Sequence, residues 1–170
     1  LYNTTSGEIL IDNTNIESLN LNNLRNEIAM VPQDAFLFSD SIKNNIKFGK
    51  ENATDEEVIH YAKMADVHKN IMRFEKKYET VLGERGLTLS GGQKQRVSIA
   101  RALIKNPEVL ILDDCLSAID TETEERILNN LAAITVNKTT LIVTHRVSSV
   151  KNADLIIILD NGKILEKGSH

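Results

Sequence analysis

The sequence predicts an α/β fold in which a mostly helical segment interrupts a sheet. Three observations carry this: strand-sized apolar runs at residues 109–112 and 140–143, helices with recognisable start signals, and helical patterns over most of residues 39–104. At 170 residues, 41% hydrophobic and 26% charged, with only 8 Gly and 2 Pro, the chain has ordinary globular composition and can bury one sizeable core.

Taken in order, the first stretch is β-rich. Glu8-Ile9-Leu10-Ile11-Asp12 forms a short strand after the Ser6-Gly7 turn, and Ile28-Ala29-Met30-Val31 forms another, closed by Pro32, with a short helix over 21–25 between them. In the helical stretch, Thr54-Asp55-Glu56-Glu57 is a capping box followed by Val58, Ala62 and Ala65 at helical spacing. A later helix opens at Ser90-Gly91-Gly92, carries Val97, Ala100, Leu103 and Ile104 on its apolar side, and stops at Asn106-Pro107. Residues 109–113 then form a strand ending in acids, and 121–133 a helix with Glu122, Glu124 and Glu125 near its positive end. The continuous apolar runs imply a sheet buried on both faces. Asp160-Asn161-Gly162-Lys163 is a type I′ turn signal joining 155–159 to 164–166 as a hairpin.

Composition excludes several classes of function. Twenty Lys and Arg against 24 Asp and Glu give a net charge of -4, so no global positive field draws the chain to nucleic acid or acidic membranes, and any bound anion must be held locally. Cys115 is the single cysteine, which excludes an internal disulfide or a cysteine-based zinc site, fits a reducing compartment, and packs as a small hydrophobe. No apolar run approaches the roughly 20 residues of a membrane-spanning helix. The first residues form no signal peptide and lack an initiating Met, so the chain is expected to be part of something longer.

Leu89-Ser90-Gly91-Gly92-Gln93 carries the most specific chemistry. Ser90 caps a helix while two glycines leave its backbone amides open to an anion, which makes a phosphate cradle; the bland alternative is a glycine turn before an ordinary helix. This stretch, with Gln95-Arg96-Val97 and Ala100-Arg101-Ala102-Leu103, resembles the signature of ATP-binding cassette (ABC) ATPases. The resemblance runs through nearly the whole chain in order. Val31-Pro32-Gln33-Asp34 looks like the Q-loop, Leu110-Ile111-Leu112-Asp113 the Walker B strand, Ser117-Ala118-Ile119-Asp120 the D-loop, and Thr144-His145-Arg146 the switch-histidine loop.

The resemblance implies a P-loop NTPase-like core over 1–38 and 105–170, a helical signature subdomain over 39–104, and ATP with Mg²⁺ as ligands. It implies that Asp113 and Gln33 organise Mg²⁺ and water, that His145 meets the terminal phosphate, and that Ser90, Gly91, Gly92 and Gln93 act on nucleotide held by a second ABC domain. Asp113 and Asp120 each have a helix-capping alternative, and Asp120 would otherwise act between subunits. Asp114 stands where family members that hydrolyse well have Glu. Its carboxylate falls back by about 1.5 Å, one C–C bond, and a 1 Å misplacement of a base costs on the order of 100-fold. A degenerate hydrolytic site is therefore expected, as in one half of a heterodimeric exporter.

Asp34-Ala35-Phe36-Leu37-Phe38-Ser39 and Ser41-Ile42-Lys43-Asn44-Asn45-Ile46 resemble the segment after the exporter Q-loop, and Thr80-Val81-Leu82-Gly83-Glu84-Arg85-Gly86 resembles the exporter X-loop, which touches coupling helices of a transmembrane domain. Phe36, Leu37 and Phe38 are expected either to line that docking surface or to pack in the core. The parent is then an exporter at the cytoplasmic face of the cell membrane, without a nucleic-acid partner. No stretch matches Gly-x-x-x-x-Gly-Lys-Ser/Thr, so the phosphate loop and the first strand are expected to lie upstream, and the segment alone is expected to be inactive. Two other readings remain: a noncatalytic ABC-like regulatory module, and a DNA-associated ABC ATPase of the SMC type, for which the chain lacks heptads and room for a long coiled coil.

Overall fold

The computed structural model describes residues 4–83 and 88–170. The chain begins with a small hairpin of β1 (Leu10–Ile11) and β2 (Thr14–Asn15). The strand expected over 8–12 is cut short because Asp12 and Asn13 take φ of 47° and 62° and turn the chain back. Helix α1 (Leu21–Glu27) follows, its Asn20 cap accepting the N–H groups of Asn22 and Asn23. It leads into β3 (Ile28–Val31).

Among the described residues four α-helices separate β3 from the next sheet strand: α2 (Ile42–Lys47), α3 (Asp55–Met64), α4 (His68–Ile71) and α5 (Gly91–Ile104). The capping box read from Thr54 and Glu57 is present, each side chain accepting the other residue's N–H. Helix α5 is the centre of this segment, and Val97, Ile99, Ala100, Ala102, Leu103 and Ile104 are all buried. Its second half is apolar nearly all round because it packs against α2, α3 and β3 at once.

The chain then forms β4 (Val109–Asp113), α6 (Thr121–Ile134) and β5 (Thr139–Val143), which complete a parallel sheet of order β3-β4-β5. The register pairs Val31 with Leu112, and Leu112 with Ile142. Ala29, Val31, Leu110 and Leu112 lie on one face and are buried in a single apolar cluster with Ile99 and Ile104 of α5 and Ile127 and Leu131 of α6. Each such buried Leu or Ile side chain contributes about 1.5–3 kcal/mol relative to exposure.

The other face departs from expectation. Met30, Leu141 and Val143 project from it and are about half exposed, so the sheet is buried on one face instead of two. Uninterrupted apolar runs predict two covered faces, whereas here the buried cluster with α5 and α6 lies on one of them. Beyond β5, strands β6 (Ile156–Asp160) and β7 (Lys163–Gly168) form the expected hairpin, with Asn161 and Gly162 at φ of 47° and 75°.

Candidate functional site

Because β3, β4 and β5 are parallel, their carboxyl ends reach one edge of the sheet, where ligands of open α/β folds bind. That edge carries Gln33 just beyond β3, Asp113 and Asp114 at the end of β4, and His145 just beyond β5. The Gln33 Nε2 donates to Asp114 Oδ2 at 3.4 Å, so two residues far apart in sequence meet here. The Asp114 N–H donates to the Val143 carbonyl at 2.8 Å, tying the acid pair to the end of β5. Asp114 has φ of 43°, in the left-handed region that Asp tolerates better than most residues. His145 is exposed at this edge.

The second part of the site lies at the start of α5. Ser90 Oγ accepts the Gln93 N–H at 3.3 Å while Gln93 Oε1 accepts the Ser90 N–H at 3.0 Å, a reciprocal cap. The Gln93 side chain is therefore engaged by its own helix start. An open depression of about 450 Å³ lies between this helix start and that of α6, lined by Ser90, Gly91, Gly92, Arg96, Ile119 and Asp120 among others. Asp120 caps α6 by accepting the Thr123 N–H at 3.0 Å, and that bond holds its carboxyl below the usual range.

The two glycines are not equivalent. A Cβ on Gly92 would stand 2.8 Å from the Ala118 carbonyl oxygen, so the backbone over 117–120 packs against α5 only because Gly92 has no side chain. A Cβ on Gly91 would meet nothing closer than 3.9 Å and would project beside the depression. Gly92 serves the close approach of two backbones, and Gly91 keeps the helix start open.

Three polar side chains that sequence reasoning gave no role organise this region. Gln95 is 5% exposed and its Nε2 donates to the Gln33 carbonyl, while its Oε1 has no partner among the described residues. Arg101 donates Nε to the Asn45 carbonyl at 2.7 Å, Nη2 to Asn45 Oδ1 at 2.8 Å and Nη1 to the Phe36 carbonyl at 2.8 Å. Its guanidinium also lies over the rings of Phe38 and Phe48, at 5.4 and 5.8 Å from their centroids. Burial lowers its pKa to about 10, so it remains a cation at neutral pH. Arg146 reaches back to the loop after β4. The sequence signal for Gln95 and Arg101 is faint: each is a polar residue in a largely apolar helix, and nothing local names its partner.

The aromatic segment resolves into two environments. Leu37 is fully buried and belongs to the core, because its side chain faces inward between two outward neighbours. Phe36 and Phe38 are exposed and pack edge to face at 5.1 Å. Thr80, Val81, Leu82 and Gly83 are described, with Val81 exposed, whereas Glu84, Arg85 and Gly86 lie outside the described residues. Cys115 is buried as expected, and burial pushes its thiol up to about 12.

The donor set suits a nucleotide with a hard cation. Gln33, Asp113 and Asp114 supply oxygens of the kind Mg²⁺ takes, and Gly91 leaves the start of α5 open, a Cβ there meeting nothing closer than 3.9 Å. Among the described residues no three His, Cys, Asp or Glu side chains converge on one point, so a cation here needs further oxygens, as Mg²⁺ on phosphates and water has.

Comparison with known proteins shows the family and the fold. A family model described as ABC transporter matches residues 1–117. A protein of Staphylococcus aureus (strain NCTC 8325 / PS 47), named as a multidrug export ATP-binding/permease protein, is 51% identical over 169 residues, which are 99% of this chain and 29% of that protein. The protein so named in strain bovine RF122 / ET3-1 is 50% identical over the same length. The solved structure of a bacterial Atm1-family ABC exporter with ATP bound superposes with a TM-score of 0.95 and 44% identity, covering 99% of this chain and 30% of that one. The chain thus spans under a third of the length of these relatives, and the expected α/β, P-loop NTPase-like architecture with its helical insertion is the one they share. It belongs to the ABC transporter family.

Proposed function

We propose that this chain is part of the ATP-binding domain of a membrane exporter and couples ATP binding and hydrolysis to transport. The observation that carries the reading is the convergence of Gln33, Asp114 and His145 on one sheet edge, together with a glycine-opened helix start beside an open depression. Its relatives are named as multidrug export proteins, so the transported substrates are proposed to be of that kind. The core is assigned to 1–38 and 105–170 and the signature subdomain to 39–104.

In this reading Asp113 and Gln33 would hold with ATP a divalent cation, which would supply neutralisation of phosphate charge there. His145 donates toward the terminal phosphate, and Asp114 orients the attacking water. The backbone amides at Gly91 and Gly92, with Ser90 and Gln93 shaping the turn, stabilise phosphate charge on nucleotide held by a second ABC domain, while Asp120 lines the same depression. No Gly-x-x-x-x-Gly-Lys-Ser/Thr run occurs in these 170 residues, so nucleotide is held firmly here only with a phosphate loop from outside them.

The short Asp114 carboxylate, drawn toward Gln33, makes this chain's own site the weaker of two, and the second domain is accordingly a different chain that supplies Glu at that position. Phe36 and Phe38 present an exposed aromatic surface to coupling helices of the transmembrane domain. The domain then lies at the cytoplasmic face of the membrane. ATP titration of the full-length protein with its partner is the test: ATP should drive association of the two domains and support Mg²⁺-dependent hydrolysis. A protein that shows neither is a regulatory module and refutes the proposal.

A further inference from the structure

We propose that Arg146 is a positioning residue that bolts the loop over 117–120 between the switch histidine and the signature helix; this rests on the ATPase reading above. Arg146 follows His145 directly, and its guanidinium Nη1 donates to the Ile119 carbonyl at 3.1 Å and the Leu116 carbonyl at 3.5 Å, while Nη2 donates to the Ser117 carbonyl at 2.8 Å. Nη1 also donates to Glu124 Oε2 at 2.6 Å. Glu124 is 2% exposed, and a carboxylate so buried must be paired; its second oxygen accepts the hydroxyl of buried Ser149. A rigid fork of donors is the side chain that can serve three carbonyls and a carboxylate together.

The loop so held is fixed on its other side as well. The Ala118 carbonyl is wedged against Gly92, and the Ser117 hydroxyl donates to the Asp114 carbonyl at 2.8 Å. The Arg146 N–H donates to Thr144 Oγ1 at 3.0 Å, which sets the turn that carries His145 between them. One side chain therefore joins three parts that chemistry must keep in register: the switch histidine, the end of the Walker B strand, and the helix start offered to a second domain. Glu124, read from sequence as a dipole-complementing acid, is instead the buried anchor that orients the fork.

Arg146→Lys tests this while leaving a cation beside Glu124, so that the variant folds. A lysine reaches one or two of the four acceptors and releases the rest. In the full-length protein with its partner, Arg146→Lys should lower kcat for ATP hydrolysis by about 10- to 100-fold, the scale of a 1 Å misplacement, with KM for ATP and the melting temperature close to wild type. In the same preparation, amide exchange at Ser117 and Ile119 should accelerate at least tenfold. Glu124→Gln, which keeps the shape and loses the charge, should move both readouts in the same direction by less. Unchanged exchange at these amides overturns the proposal, as does a kcat loss that merely follows the folded fraction. If the wild type hydrolyses no ATP, the ATPase reading falls while the exchange experiment still decides whether Arg146 holds the loop.

Discussion

Exchanging each signature glycine for alanine separates two roles that one motif combines. At Gly92 the new methyl would lie 2.8 Å from the Ala118 carbonyl oxygen, where ordinary contact begins at 3.4 Å. The loop or the helix must give by about 0.6 Å, an overpacking whose usual cost is about 1–3 kcal/mol. Gly92 sits in the first turn of α5, where alanine recovers little of the helix-interior propensity, so the net loss stays about 1–3 kcal/mol, or a melting temperature lower by about 2–12 °C in a domain of this size. At Gly91 the nearest atom would be 3.9 Å away, so Gly91→Ala should melt at or slightly above the wild-type temperature. On the proposed reading that methyl would occupy, in the full-length protein with its partner, the space a phosphate needs to reach the helix amides, and turnover should fall at least tenfold. Thermal unfolding and steady-state ATPase assays on both variants suffice. Undiminished turnover in Gly91→Ala refutes the anion cradle, and wild-type melting of Gly92→Ala refutes the backbone wedge.

Three further outcomes follow from the acid pair and from the buried thiol and phenol. Asp114→Glu restores the missing methylene and should raise kcat at this chain's own site by about 10- to 100-fold with little change in KM, measured with the partner's site disabled; an unchanged kcat shows that carboxylate reach does not limit the reaction. Burial holds Cys115 and Tyr78 near 12, against ordinary values of 9.0 and 10.0, so between those values and about pH 12 the folded state keeps protons that the unfolded chain has lost. Stability should therefore fall as pH rises through that window, in urea titrations from pH 8 to 11. Cys115 should correspondingly resist alkylation at pH 8 until the protein is unfolded.

Much of the fold could be read from local signals, and the failures have physical causes. Strand β3, the capping box at Thr54, the Ser90 helix start and the Asn161-Gly162 hairpin each depend on residues within a few positions, and each forms where expected. The sheet's second face is half exposed within these 170 residues, because apolar runs state that a strand can be buried, not which neighbours cover it. Leu37 shows the same limit, since alternation of its neighbours outward fixes its burial only once the backbone is extended there. The motif residues of the candidate site were visible because they cluster around glycines, paired acids and a strand-end histidine. Gln95, Arg101 and Arg146 stood within the motifs, but their contacts were not legible, because their partners lie 62, 56 or 65, and 22 to 30 positions away. Long-range hydrogen bonds leave almost no trace in a single sequence.

Helix α5 carries the opened start at Gly91 and the Arg101 fork on one stiff rod, about 15 Å apart at 1.5 Å per residue. A tilt of about 4° pivoting at the glycine end would carry the guanidinium about 1 Å, a full hydrogen bond's tolerance. Since that group donates to the Phe36 carbonyl and lies over the rings of Phe38 and Phe48, any such tilt would be felt by the aromatic surface. Mechanical advantage of this sort needs no hinge inside the helix, only a cation too firmly lodged to let go.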